Sequence, residues 1–250
     1  MPSHLSTIGF DLHTHEDFVA LANRVASDAE TIVCANGQYR RWAGGHGEEL
    51  WLQIDRESAL IGMNPHFSGK ASLRIGVQSR VHRDDDTSLD GAFYGWADPQ
   101  DASVDSGVCP LVFDTPDAAV HDKLQLPSIL TVQIAAFAHE IAIYASLEEY
   151  DASPEGRDFK LASKSFIPSG LFSPDGTSSD PPHAHAILTG HIVESASKTN
   201  MLTGGAFHWA LVETLGGSYD VVVDPRLSPL LPQPGGVLSG SFWLSGRVLS

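Results

Sequence analysis

The chain has 250 residues, with 15 Lys and Arg against 31 Asp and Glu, a formal net charge of −16. That length allows one large domain or two small ones with ample core. A balance of 42% hydrophobic to 18% charged residues is globular and excludes a disordered chain. Nucleic acid and anionic membrane surfaces are disfavoured as partners, because both need basic surface.

At the N-terminus, Met1 to Leu5 lack a basic stretch followed by an apolar run, so no signal peptide is expected. Thr7 to His13 reads as a strand, with Asp11, His13 and His15 projecting to one face because the side-chain period is two. Glu16 to Ala29 follows as the one clear helix, with Val19, Leu21, Ala22, Val25 and Ala26 along one side. Thr14 is its expected N-cap, with Asp17 three residues on.

Short β segments come next. Thr31 to Ala35 ends at Asn36-Gly37, a hairpin signal, and Gln38 to Trp42 returns. Glu49 to Ile54, Ala59 to Met63, Leu73 to Val81, Gly91 to Ala97 and Leu111 to Phe113 continue the series. One helix on an antiparallel sheet of about six strands makes an α+β unit over residues 1–120. A linker is expected near Asp114 to Pro127.

Ile129 to Ala145 supports two readings. As a helix it aligns Leu130, Ile134, Phe137, Ile141 and Tyr144, whereas its Ile, Val and Tyr content favours β. Gln133, His139 and Glu140 interrupt the run to Leu147, so no spanning helix is expected. A short helix is expected around Ser146 to Ala152, and a loop over Pro174 to Pro182. His185 to Val193, Gly205 to Thr214, Ser218 to Val223 and Gly236 to Leu249 read as four strands. The overall expectation is a β-rich α+β chain, with a second, β-rich domain over residues 121–250.

Glycine-bearing strands such as Ala186 to Glu194 and Gly240 to Arg247, with the Lys198 to Gly204 hairpin and Phe207 to Val212, resemble a small β-barrel of the OB type with a core about 183–250. That resemblance implies oligonucleotide binding. The acidic balance of this half, 6 basic against 12 acidic residues, argues against it.

Asp11-Leu12-His13-Thr14-His15 resembles the opening motif of the PHP phosphoesterase family. It implies a metal centre held by His13 and His15 that activates water against a phosphate ester, and the neighbouring Glu16 or Asp17 is a candidate further ligand. His183, His185 and His191 share a strand face, but His185 and His191 lie about 20 Å apart along it, too far for one ion. Trp42, His46 and Trp51 flank a glycine-rich loop and are the candidate small-ligand residues. Asp84-Asp85-Asp86 with Asp90 matches a calcium loop in composition alone, lacking its glycine and terminal glutamate, and reads as a solvated loop.

No nucleophile elbow is present, and Cys34 and Cys109 form no C-x-x-C pair. The leading expectation is a cytoplasmic, non-catalytic module binding a protein or a small molecule, with no cofactor. A homodimer through an exposed strand edge is one form of that partnership. The alternative is a metal-dependent hydrolase using a divalent ion at His13 and His15.

Overall fold

A computed structural model describes residues 3–100, 104–153, 160–171 and 180–249. Its elements are α1 (His15–Ala26), β1 (Glu30–Cys34), β2 (Gly37–Ala43), β3 (Glu48–Asp55), β4 (Leu60–Phe67), β5 (Leu73–Val81), β6 (Ala92–Ala97), β7 (Cys109–Asp114), β8 (Ser128–Tyr144), α2 (Leu147–Ala152), β9 (Ser165–Ile167), β10 (His185–Thr199), β11 (Ala206–Thr214), β12 (Gly217–Val223) and β13 (Val237–Val248). The chain is α+β and β-rich, with a four-stranded antiparallel sheet, one main helix and a large mixed sheet. Among the described residues, no helix is long and apolar enough to cross a membrane.

The first four strands form their own meander in the order β1-β2-β3-β4. The expected single sheet of about six strands is therefore divided, because β5, β6 and β7 join the larger sheet instead. That sheet is built on a long ribbon in which β8 and β13 pair antiparallel from Val132↔Val248 to Tyr144↔Val237. Each ribbon strand is long enough to take two further partners in succession. The outer edge of β8 pairs β5 over Ser128–Val132 and then β12 over Ala135–Phe137. The outer edge of β13 pairs β10 over Val237–Trp243 and then β7 at Ser245.

Two rings close on this shared ribbon. One runs β8-β5-β6-β7-β13, the other β8-β12-β11-β10-β13. The second is the closed five-stranded counterpart of the expected barrel. Its closing strand β8 enters well before residue 183, joining β12 in parallel. Strands on both sides of residue 120 thus belong to one sheet. The stretch expected as a linker is packed, with Thr115, Asp117 and Ala119 buried.

Ile129 to Ala145 is a strand. Val132 through Ala138 are buried without alternation, because both faces of β8 are covered, and so the period-two signal vanishes there.

The segment expected as a first strand is instead a 3-10 turn at Ser6–Ile8, closed by Gly9 at φ 84°. Local bonds favour it: the Ser6 hydroxyl donates to Ser3 O and the Thr7 hydroxyl to His4 O, drawing the backbone away from a ladder. The helix begins as expected at Thr14, whose side chain accepts from Asp17 N in a capping box, but it ends at Ala26, short of Ala29. Leu21, Ala22 and Val25 join Leu50 and Leu52 of β3 in the main core. The other face of β3 carries Glu49, Trp51 and Gln53, also buried, toward the larger sheet.

Candidate ligand pocket

A polar pocket of about 220 Å³ opens where the first ring closes. At this seam β7 and β13 meet through a single register pair, Asp114↔Ser245, so little backbone fills the space. Asn64 of β4, the Arg83–Gly91 connection and the Asp114-Thr115-Pro116 turn line it, with Trp243 and Ser245 of β13.

Most of its polar groups are satisfied within the protein. Asp114 accepts from Arg83 Nη1 at 2.8 Å and from the Trp243 indole N–H at 2.5 Å. Burial pushes the Asp114 carboxyl up, opposed by the Arg83 guanidinium and that indole. Asp90 accepts from Gln53, Asn64 and the Thr87 N–H. Arg83 donates its backbone N–H to Asp86 and its Nε to Pro182 O.

Four groups remain. The Thr115 hydroxyl and Arg83 Nη2 are buried without a partner, and Thr115 is only 2% exposed. The Asp85 carboxylate stands exposed with no partner among the described residues, and Asp86 Oδ1 lies 3.9 Å from Arg83 Nη1.

Ser245 is held by a buried relay whose proton positions follow from its ends. The Gln133 amide nitrogen donates to Phe67 O at 3.1 Å and Asp220 Oδ2 at 2.9 Å. Its oxygen therefore accepts from His66 Nε2, 2.9 Å away, so that nitrogen carries the proton. His66 Nδ1 is then bare and accepts the Ser245 Oγ–H at 2.9 Å. Burial lowers the His66 pKa, which keeps the ring neutral, as the relay requires. Ser245 thus offers the pocket oxygen lone pairs and no proton.

The residues singled out in the sequence lie elsewhere. His13, His15 and Glu16 are exposed at the start of α1. His13 approaches Asp11 at 3.2 Å, and the His15 ring faces Phe18. Among the described residues, no three His, Cys, Asp or Glu side chains are grouped to hold a metal ion. Trp42 pairs with Leu50 and Trp51 with Arg41, which puts the two indoles on opposite faces of the small sheet. Trp42 packs on Phe10, while Trp51 is fully buried, donates to Glu49 and lies under the Arg41 and Arg247 guanidinium groups. His46 is exposed with Nδ1 2.7 Å from Thr199 O. These three do not share a cavity.

No protein-family model, curated protein or solved structure matches the chain. The pocket's chemistry therefore stands on its own geometry. The one sequence signal for it was the Asp84-Asp85-Asp86 and Asp90 run, read as solvated, whose last three members line the pocket. Its partners Asn64, Thr115, Trp243 and Ser245 come from distant segments, with no spacing to mark them.

Proposed function

We propose that this chain is a non-catalytic module that binds a small polar molecule in the pocket at the β7–β13 seam. The buried, unpartnered Thr115 hydroxyl carries this reading. A buried hydroxyl without a hydrogen bond costs about 1–3 kcal/mol, and Thr115 belongs to the wall of the pocket, where a bound molecule would supply the missing partner. Convergent polar groups from two connections and the strands they flank, in a concavity of metabolite rather than drug size, support it further.

Saturation-transfer NMR with a panel of sugars, amino alcohols, amino acids and small carboxylates tests the proposal. At least one class is expected to bind the wild-type chain and to weaken with Thr115→Val, which keeps shape and removes the hydroxyl. A panel that is silent on the folded wild-type protein, or bound equally by Thr115→Val, overturns the reading.

A further inference from the structure

The groups left over in the pocket specify a ligand class. On the donor side stand Arg83 Nη2 and the Thr115 hydroxyl, both buried and unpartnered. On the acceptor side stand Ser245 Oγ, whose proton is committed to His66, the Asp85 carboxylate and Asp86 Oδ1. The lining as a whole holds four aspartates, Asp85, Asp86, Asp90 and Asp114, against the single guanidinium of Arg83. That guanidinium is already engaged by Asp114 at 2.8 Å.

The two donors therefore call for an acceptor atom that carries no charge. A carboxylate or phosphate there would face three carboxylates beyond the Asp114–Arg83 pair. The free acceptors, by contrast, call for a donor, and their charge favours a cationic one. A hydroxyl or carbonyl oxygen toward Thr115 and Arg83, with an ammonium toward Asp85 and Asp86, satisfies both sets. From this donor and acceptor balance we infer that the pocket takes a small hydroxylated organic cation, of the amino-alcohol or amino-sugar class. The inference rests on the binding reading above and names the ligand that reading leaves open.

Three sugars of nearly equal shape separate charge from fit: glucosamine (cation), glucose (neutral) and glucuronate (anion). Calorimetric titration of the full chain at low salt is expected to rank them in that order, with glucosamine about tenfold tighter than glucose, as one partly exposed charge pair allows. The advantage shrinks at high salt. Replacing Asp85→Asn and Asp86→Asn together keeps the acceptor for the Arg83 N–H. It is expected to bring glucosamine down to the affinity of glucose measured in the same variant. Thr115→Val weakens all the sugars that bind, and near-UV circular dichroism checks that each variant is folded. Glucose binding as tightly as glucosamine overturns the cationic class and leaves the binding reading standing. Silence of all three sugars, with only a panel compound other than an amino alcohol or amino sugar bound, likewise overturns only the class; silence of every compound overturns both.

Discussion

Histidines illustrate what single residues do here. His4 Nε2 lies 2.7 Å from His139 Nε2, and the His4 ring stacks on Trp243 at 4.2 Å. His139 in turn meets His185, and His185 meets His183. Burial, then the neighbouring His139 and His185, lower the His4 pKa to about 4, while burial first lowers those of His139, His185 and His66. The unfolded chain therefore binds protons below the ordinary 6.5 that the folded protein refuses. Stability is complete above that value and is lost as pH falls from 6.5 toward about 4. The melting temperature is expected to drop between about pH 7.5 and pH 5. His4→Phe retains the stacked ring without its titration, so its drop should be smaller. Equal drops in the two proteins would show that His4 takes no part. Easing of the net charge on acidification works in the opposite direction, but equally in both proteins.

At the scale of elements, the helix cap was legible and the first strand was not. Thr14 and Asp17 stand at capping-box spacing before an apolar stripe, and both bonds form. The His13 N–H, then the Thr14 side chain and N–H, hold the Asp17 carboxyl below its ordinary range. The carboxylate's share of the cap is thus full above that range and is lost as pH falls through the depressed value, while the Asp17 N–H to Thr14 bond remains. Thr14→Ala is expected to cost about 1 kcal/mol. In urea denaturation at neutral pH the midpoint should fall with an unchanged slope, and an unshifted midpoint would mean that α1 does not need its cap. The Thr7 to His13 stretch misled because Ser6 and Thr7 satisfy their hydroxyls locally, a choice that alternation of residues does not reveal. Likewise β8 could not be told from a helix by period, since both its faces are covered.

For the whole molecule, the decisive feature is the shared β8–β13 ribbon. The first ring takes both ribbon strands from the C-terminal half, whereas all five strands of the second ring lie within that half, and side chains couple it to the N-terminal half. Asp220 on β12 accepts from Trp209 and Gln133 in the C-terminal half, but also from the Lys70 and Ala71 N–H groups in the N-terminal half. Gly69 permits this approach, since a Cβ there would meet the Asp220 carboxylate at 2.1 Å. A fragment of residues 121–249 would leave Ser128–Val132 without an edge partner and Asp220 without two of its donors. It is expected to give a poorly dispersed amide NMR spectrum, whereas a well-dispersed one would show that the second ring folds independently.

Of the 31 acidic residues, four aspartates surround one small pocket with a single arginine. The sequence alone determined the class of the fold, the capped helix, the turns and most strand positions, because local backbone preference and one-sided burial leave periodic traces. Tertiary structure alone decided which strands share a sheet, that residue 120 does not divide it, and that Asn64, Asp85, Thr115 and Ser245 face one cavity. Strand pairing and convergence depend on contacts between segments far apart in the chain, and such contacts leave no spacing in the sequence.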